Sequence, residues 1–372
     1  MTVPTRPVAT VGPVKIVGTG LLGASLGLAL RAAGVAVQLD DASPSALALA
    51  RDIGAGTPVE SGDPEPALVV VAAPPDVTAV TVLAQLEAHP DAVVTDVASV
   101  KAPIVAEVRA GGTTGAGRYV GSHPMAGRER SGAAAADGDL FAGRPWVIVP
   151  EDASGDAVLA VRNLAADVGA APVTLGAQEH DDAVALVSHL PQLAASLVAA
   201  RLRETPEAAL GLAGQGLRDV TRIAASDPQL WSMILVGNAA PVATALREVR
   251  ADLDELITAL DLAAQHGPLT PGAAGPLASL VAAGNAGAGR IPGKHGGAPR
   301  RYGEVTVLIP DEPGALGRLF SDVGEAGVNI EDLQLEHSAG QKVGLAVVSV
   351  LPAAVAPLEA ELDRRGWRLV AH

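Results

Sequence analysis

The sequence predicts a three-part α/β protein. Short apolar strands alternate with helical segments through residues 13–178, the order typical of a sheet covered by helices on both faces. Strand signals then stop, and residues 179–285 carry apolar side chains at helical spacing, which predicts an all-helical domain. Residues 303–372 return to mixed strands and helices and predict a smaller C-terminal α+β domain. We expect residues 1–12 to form a disordered tail and the Gly-, Pro- and Lys/Arg-rich residues 286–302 to form a linker.

The composition excludes several classes of function. The chain has 372 residues, of which 49% are hydrophobic, so it can form two or three domains with a substantial core. It contains no Cys, which excludes disulfides and thiolate metal sites and favours a cytoplasmic location. The net charge of −15 argues against nucleic-acid and membrane partners, and no apolar run approaches the roughly 20 residues that span a bilayer. The expected ligands are therefore small molecules, and an anionic one needs a local cluster of cationic side chains.

The first predicted strand, residues 14–17, leads into the glycine-rich turn GTGLLG and then a helix. This spacing between a strand and a helix is typical of the dinucleotide-binding turn of a Rossmann-type domain. Gly18 permits the tight turn, Gly20 lets the backbone approach a pyrophosphate, and Gly23 lets the helix pack closely. The pyrophosphate then lies at the helix N-terminus, where free N–H groups bind anions. The predicted cofactor-binding residues of the turn are Gly18, Gly20, Leu21, Leu22 and Gly23.

The second strand, residues 35–39, ends in two carboxylates about 20 residues after the glycines. At this position a carboxylate binds the adenine ribose, and either Asp40 or Asp41 can supply it. No Arg follows directly to hold a 2′-phosphate, which favours NAD over NADP. The alternative for either acid is a solvated turn residue ahead of the helix that begins at Ser43-Pro44.

Further apolar strands are predicted at residues 67–73, 92–95, 119–120, 144–150 and 171–174. Ligands of such sheets lie beyond the carboxyl ends of the strands, where Ser99 and His123 are found. Ser99 could alternatively cap the helix that follows it. His123 falls in GSHPMAGRERSG, a run so rich in Gly and Pro that we expect a loop. Loops on rigid strands concentrate catalytic groups, although a lone His in such a loop is more often an ordinary polar residue.

The helical region offers two candidate partners for His123. Pro191 lies inside the helical pattern of residues 179–203 and predicts a kink, at which His189 is located. Arg222 follows Asp219 by three residues, so the carboxylate can orient the guanidinium to grip a substrate carboxylate. The alternatives are a helix-face His bonded to a neighbour and a surface ion pair. A single long helix is expected over residues 228–262, with part of it forming a dimer interface.

The C-terminal region has the order β-α-β-β-α-β of a ferredoxin-like unit. Together, several motifs resemble the prephenate/arogenate dehydrogenases of tyrosine biosynthesis. They are GTGLLGASLGLALR, TDVASVK, GSHPMAGRERSG, LFAGRPWVIVP, SHLPQLAA and RDVTRIAASDPQLW, in the family's order across nearly all of residues 14–265. The segments VLIPDEPGALGRLF and GVNIEDLQ resemble an ACT domain, a regulatory module that usually binds amino acids.

The resemblance implies NAD-dependent oxidative decarboxylation of prephenate to 4-hydroxyphenylpyruvate, or alternatively of arogenate to tyrosine, without a metal. His123 matches the catalytic His that accepts the substrate's hydroxyl proton, and Ser99 matches the serine that orients both that His and the substrate hydroxyl. The implied substrate-binding residues are His189, Arg222, Asp219, Glu129, Arg128 and Trp231. The departure at Arg128, often a small residue in the family, would favour the dianionic prephenate. The long helical pattern of residues 228–262 predicts a homodimer. The resemblance to an ACT domain implies that the C-terminal region binds tyrosine or another amino acid, and the alternative is a structural dimerisation module.

Two other functions compete with this interpretation. Dehydrogenases of β-hydroxy acids share the domain arrangement but rely on a catalytic Lys in the helical domain, and residues 179–283 contain no Lys. A non-catalytic sensor of NAD and amino acids is suggested by the C-terminal domain. Such a sensor would not need Ser99, His123, His189 and Arg222 together, so the enzyme is the favoured prediction.

Overall fold

A computed structural model describes residues 7–112, 115–128, 132–292, 302–337 and 343–370. The chain divides into two compact units. The first consists of residues 1–197 and 223–247, and the second of residues 198–222 and 248–372. The first unit therefore includes part of the region that the sequence assigns to a separate helical domain.

The first unit is built on an eight-stranded sheet of order β3-β2-β1-β4-β5-β6-β7-β8. The strands are β1 (Val14–Val17), β2 (Val37–Asp40), β3 (Thr57–Pro58), β4 (Leu68–Val71), β5 (Val93–Asp96), β6 (Tyr119–Pro124), β7 (Pro145–Val149) and β8 (Ala171–Thr174). Neighbouring strands are parallel except β6 and β7, which are antiparallel. The strand order reverses between β1 and β4, where open sheets of this type form their ligand crevice. The predicted Rossmann-type sheet is confirmed.

Helices cover both faces of this sheet. They are α1 (Leu21–Ala32), α2 (Pro44–Asp52), α3 (Pro75–Ala88), α4 (Ala102–Ala110) and α5 (Gly155–Asp167). Successive residues of a strand point to opposite faces, and β4 shows the result. Leu68 and Val70 join one apolar cluster, whereas Val69 and Val71 join another. Burial on both faces explains why this strand is a continuous apolar run.

β6 is longer than the sequence predicts. The segment GSHP was expected to be a loop, but Gly121 through Pro124 continue the strand and pair with β7. Gly121 lies opposite Val149, and His123 lies opposite Val147. The antiparallel partner supplies a hydrogen-bonded ladder that local composition does not reveal, and Pro124 occupies the last position of the strand. His123 is therefore held on a strand at its carboxyl end.

The expected disordered tail is partly ordered. Residues 1–6 lie outside the described residues, but residues 7–12 do not. The carboxylate of Asp167, at the end of α5, accepts hydrogen bonds from the backbone N–H groups of Ala9 (2.9 Å) and Thr10 (2.7 Å). It also accepts one from the Thr10 hydroxyl at 2.7 Å. These three bonds attach the segment to the first unit.

A second group of helices follows β8. These are α6 (Ala177–Val184), a π-helical turn (Ala185–His189), α7 (Leu190–Arg201), α8 (Glu207–Leu210) and α9 (Gln215–Arg222). The irregularity expected at Pro191 takes the form of the π-helical turn that ends at His189. Within the described residues, the continuous helix Ala177–Glu204 is long and apolar enough to cross a membrane by length and composition. The expectation that no run approaches that length was therefore wrong, although buried His180, Asp181 and His189 interrupt its apolar character.

The long helix expected over residues 228–262 is broken in two. α10 (Pro228–Gly237) and α11 (Ala239–His266) meet at a bend of 95°. Asn238 lies at the break, is only 2% exposed and donates a hydrogen bond to the backbone carbonyl of Asp181 at 2.7 Å. This hydrogen bond to a distant part of the chain fixes Asn238 at the point where α10 ends and α11 begins.

The second unit ends in a four-stranded antiparallel sheet of order β10-β11-β9-β12. Its elements, preceded by α12 (Ala274–Ala288), are β9 (Gly303–Pro310), α13 (Ala315–Glu325), β10 (Asp332–His337), β11 (Val343–Val350), α14 (Val355–Arg364) and β12 (Arg368–Leu369). Leu319 and Leu358 from the two helices pack on Val307 and Val348 of the sheet. The element order is the predicted β-α-β-β-α-β.

Candidate active site

The glycine-rich turn after β1 has the geometry that a bound dinucleotide requires. Gly18 has a φ of +98°, and a Cβ there would lie 2.4 Å from the Ala72 carbonyl oxygen. A Cβ on Gly23 would lie 1.9 Å from the Gly18 carbonyl oxygen, so both positions require glycine. Gly20 faces open space instead, and no side chain caps the start of α1 at Leu21. A pyrophosphate can therefore approach the backbone and bind the free N–H groups of the helix.

Of the two candidate ribose-binding acids, Asp41 is the one attached to this turn. Its carboxylate accepts hydrogen bonds from the Thr19 backbone N–H (2.6 Å) and hydroxyl (2.7 Å). It also accepts the backbone N–H of Ser43 at 2.7 Å. The Asp40 carboxylate instead lies 3.2 Å from the Lys15 ammonium. Sequence reasoning did not include Thr19, whose position between the two glycines was the available signal.

His123 is the first member of a chain of hydrogen bonds. Its Nδ1 atom lies 2.8 Å from Nε2 of His180, and Nδ1 of His180 lies 2.8 Å from the Asp181 carboxylate. His180 and Asp181 are buried. The Asp181 carboxylate also accepts the backbone N–H groups of Lys101 and Ala102, each at 2.8 Å, and so caps α4. None of the sequence predictions included His180 or Asp181.

The surroundings of His123 favour its neutral form. Burial lowers the pKa of His123 well below its usual value, and the neighbouring His180, Lys101 and His189 lower the pKa further when they are charged. A neutral imidazole is the form that can accept a proton. At neutral pH the group is therefore ready to act as a base.

A buried ion pair lies close enough to His123 to influence its pKa. The Lys101 ammonium pairs with the Asp96 carboxylate, and both side chains are fully buried. The Tyr119 hydroxyl donates to the same carboxylate at 2.8 Å. Burial lowers the pKa of Lys101, an effect that the Asp96 charge opposes, and burial followed by the Asp96 charge raises the pKa of Tyr119 well above its usual value. The Ser122 hydroxyl donates to the Asp96 backbone carbonyl at 2.6 Å, which holds the end of β6 beside β5.

Ser99 is half-buried and lies in the segment between the end of β5 and the start of α4. No hydrogen bond of its side chain occurs among the described residues, and no side chain of α4's own N-terminal segment caps that helix. The alternative role of Ser99 as the cap is therefore taken by Asp181. Ser99 remains available to a ligand.

His189 faces Trp231 and Asn238 within the first unit. The rings of His189 and Trp231 are 6.1 Å apart and meet edge to face at 89°. Nδ1 of His189 lies 3.1 Å from the Asn238 amide nitrogen. Because that nitrogen is a donor, Nδ1 accepts and Nε2 of His189 carries the proton. Burial lowers the pKa of His189, an effect that Asp181 opposes and His180 reinforces.

For two of the other predicted substrate-binding residues, the structure shows contacts with groups other than His123, Ser99 and His189. The Arg128 guanidinium pairs with the Asp137 carboxylate, and the Asp137 backbone N–H donates to the Ser25 hydroxyl of α1 at 3.0 Å. Glu129 lies outside the described residues. In the second unit, Arg222 is the last residue of α9, and the Asp219 carboxylate accepts a hydrogen bond from Gln215 at 2.7 Å.

Comparisons with known proteins match this architecture. The family model for the nucleotide-binding domain of prephenate dehydrogenase matches residues 26–174, and that for its dimerization domain matches residues 176–267. A Streptomyces niveus protein named as a probable prephenate dehydrogenase, NovF, is 38% identical over 356 residues, which are 95% of this chain and 98% of that protein.

Two solved structures are also similar to this chain. A prephenate dehydrogenase from A. aeolicus, in complex with hydroxyphenyl propionate and NAD+, is 27% identical with a TM-score of 0.62, covering 73% of this chain and 97% of that chain. The Synechocystis arogenate dehydrogenase is 28% identical with a TM-score of 0.59, covering 74% of this chain and 98% of that chain. The chain belongs to the prephenate dehydrogenase family.

Proposed function

We propose that this protein is an NAD-dependent prephenate dehydrogenase that converts prephenate to 4-hydroxyphenylpyruvate and carbon dioxide. The observation that carries the proposal is His123, a neutral imidazole at the carboxyl end of β6 in the same sheet as the glycine-rich turn. Family membership and the relatives named as prephenate dehydrogenases support the same activity.

The reaction requires a base and a hydride acceptor. Bound NAD+, held by the glycine-rich turn and Asp41, would supply the acceptor for the hydride on the ring carbon that bears the hydroxyl. Nε2 of His123 accepts the hydroxyl proton, and a ketone forms at that carbon. The ring carboxylate leaves as carbon dioxide, and its bonding electrons make the ring aromatic and give a phenolate. His123 returns the proton to the phenolate oxygen, so protons balance over the cycle.

The other residues receive roles from the resemblance and from their positions. Ser99 orients the hydroxyl and His123, His189 donates from Nε2–H to the substrate, and Trp231 forms a wall of the site. Arg222 holds a substrate carboxylate, and Asp219 orients Arg222. Glu129 is proposed as an acidic pocket residue.

Arg128 is proposed as a second cation for the side-chain carboxylate of prephenate. Its present partner is Asp137, so binding requires the guanidinium to exchange one carboxylate for another. This exchange costs less than desolvating a free cation, because both states pair the charge.

Arogenate is the alternative substrate, since the Synechocystis arogenate dehydrogenase is as similar to this chain as the A. aeolicus prephenate enzyme is, with 28% against 27% identity and a TM-score of 0.59 against 0.62. A paired assay decides between them. Initial rates with prephenate and with arogenate, each with NAD+ and with NADP+, give four values of kcat/KM. We expect prephenate with NAD+ to be the highest. A higher value with arogenate would reject prephenate as the substrate, and a higher value with NADP+ would reject NAD.

We further propose a cytoplasmic homodimer whose C-terminal β-α-β-β-α-β region is an ACT domain that binds tyrosine. The turn DEPG precedes α13 and contains Gly314 at a φ of +88°, a conformation that suits glycine. Titrating L-tyrosine into the full-length enzyme should inhibit it, and deleting residues 300–372 should abolish inhibition but not activity. Equal inhibition of both proteins would exclude a regulatory role for this region.

A further inference from the structure

His180 and Asp181 form a hydrogen-bonded pair behind His123. His180 is fully buried, and its two ring nitrogens are 2.8 Å from His123 and 2.8 Å from Asp181. Both residues lie on α6, whereas His123 lies on β6, so the pair joins a helix to the strand that carries the proposed base. We propose that His180 and Asp181 are positioning residues that fix the tautomer of His123 and stabilise its cation. This inference rests on the proposed role of His123 as proton acceptor.

Asp181 determines the direction of the hydrogen bonds. Its carboxylate accepts two backbone N–H groups at the N-terminus of α4, where the helix dipole also favours negative charge. An ionised carboxylate can only accept, so Nδ1 of His180 carries the proton and donates to it. Nε2 of His180 is then an acceptor, and Nδ1 of His123 must be the donor. The lone pair on Nε2 of His123 remains for the substrate.

The same chain of hydrogen bonds stabilises the His123 cation that forms when the proton is transferred. When Nε2 of His123 takes the substrate's hydroxyl proton, Nδ1–H remains bonded to neutral His180 and the ring becomes a cation. No proton passes to Asp181, and the transferred proton returns to the phenolate oxygen of the product. The arrangement parallels the Asp of the Ser-His-Asp triad, which orients its His and stabilises the imidazolium without becoming protonated. Here a second imidazole lies between the base and the carboxylate.

The charges around His123 make this stabilisation necessary. Lys101, at the N-terminal end of α4, carries a charge that disfavours a cation on His123, and His189 of the π-helical turn adds to this effect when it is protonated. The Asp96 carboxylate is paired with Lys101 and accepts a hydrogen bond from Tyr119, so its negative charge is balanced there and does not stabilise a cation on His123. A protonated His180 would also repel the cation and would donate to His123 from Nε2, which removes the basic lone pair. The hydrogen-bonded chain from His123 through His180 to Asp181, called the relay below, therefore requires His180 to be neutral. This requirement sets the direction in which a change at His180 should move the pH dependence of activity.

Four variants of the full-length enzyme test the proposal. H180L removes the acceptor, whereas H180Q places an amide oxygen near the position of Nε2 and restores it. D181N keeps an oxygen that can accept from Nδ1 of His180, but it removes the negative charge that stabilises the His123 cation and places an amide N–H₂ group against a backbone N–H at the start of α4. D182N alters a neighbouring exposed acid that bonds only Gln178 among the described residues, and is the matched control. Thermal unfolding of each variant identifies any that fail to fold.

The relay predicts a pattern that lost packing does not. H180L and D181N should lower kcat by about 10²- to 10⁴-fold, with KM for prephenate within about threefold of wild type. H180Q should recover most of the loss, and D182N should match wild type. The acid limb of the kcat/KM profile should move to lower pH in H180L. A limb that moves to higher pH, or a kcat within about threefold of wild type in both H180L and D181N, would overturn the relay.

A spectroscopic measurement separates this inference from the proposed reaction. Nitrogen-15 chemical shifts of labelled histidines, recorded without substrate, report the tautomer of each ring. We expect His123 to carry its proton on Nδ1 in wild type, and to show a mixture of both tautomers in H180L, which lacks the acceptor for Nδ1–H. The opposite assignment in wild type would refute the relay even if prephenate is oxidised. The expected assignment would support the relay even if the assays identify a different substrate.

Discussion

The amide nitrogen of Asn238 bonds both Nδ1 of His189, at 3.1 Å, and the backbone carbonyl oxygen of Asp181, at 2.7 Å. One side chain at the break between α10 and α11 therefore connects the proposed substrate-binding His to the residue behind the proposed base. A nitrogen that donates to a carbonyl is assigned as the amide N–H₂ group, so the same contact sets the tautomer of His189. Asn238 therefore fixes the position of His189, on the substrate side of the site, relative to Asp181, which lies behind His123.

Replacing Asn238 with Ala should destabilise the protein by about 1–3 kcal/mol, because it leaves a buried carbonyl and a buried ring nitrogen without their donor. It should also raise KM for the substrate more than it lowers kcat, since His189 loses its fixed orientation. Denaturant unfolding and steady-state kinetics measure the two effects. The exposed Asn285 of α12, changed to Ala, is the control and should stay within about 0.5 kcal/mol of wild type. An unchanged stability for N238A would contradict the assignment of these bonds.

Replacing His123 with Asn should lower kcat by about 10²- to 10⁴-fold, the range expected on removing a positioned base. Asn keeps a polar group near Nδ1 but has no basic nitrogen at the position of Nε2. Binding of NADH, followed by its fluorescence, should change little, because the glycine-rich turn is intact. Turnover within about tenfold of wild type would show that another group accepts the proton.

The lowered pKa of His123 predicts where activity is lost in acid. Only the neutral ring accepts a proton, so kcat/KM should be constant at neutral pH and fall only well below the ordinary value of 6.5. For stability, the unfolded chain binds this proton more readily than the folded chain. Stability therefore decreases as pH falls through 6.5 towards the lower folded value and is unaffected above it. A His89→Asn variant should show the same acid limb, and a limb at or above 6.5 in wild type would contradict the environment described for His123.

Most strands of both sheets were predictable because burial leaves a direct trace in sequence, whereas the two-residue β3, which is not buried, was not predicted. β4 is a run of apolar residues, and β1 was predicted at its observed bounds. The β-α-β-β-α-β order of the C-terminal region was likewise recognisable from its alternating strands and its turns. Local composition is informative wherever an element's environment depends mainly on its own side chains.

The features that escaped prediction depend on distant partners. Gly121 to Pro124 form a strand only because β7 pairs with them, and Asn238 breaks a helix because Asp181 and His189 accept its amide. His180 and His189 are nine residues apart, about 2.5 turns of a regular α-helix, which would place them on opposite faces. The π-helical turn between them changes that angle, and both approach His123 closely enough to influence its pKa. No spacing rule applied to the sequence could have joined the two.

The neighbouring acids Asp40 and Asp41 allow a matched test of the coenzyme site. Asp41 bonds Thr19 of the glycine-rich turn, whereas Asp40 lies beside Lys15. Asp41→Asn should raise KM for NAD+ by about 10- to 100-fold, because hydrogen bonds to a charged acceptor contribute about 1.5–3 kcal/mol. kcat at saturating NAD+ should change little, since the ribose is remote from the reacting carbon. Asp40→Asn should leave KM for NAD+ within about threefold of wild type, because its ion pair is partly exposed. If Asp40→Asn has the larger effect, Asp40 binds the ribose and the contacts of Asp41 serve only to hold the turn.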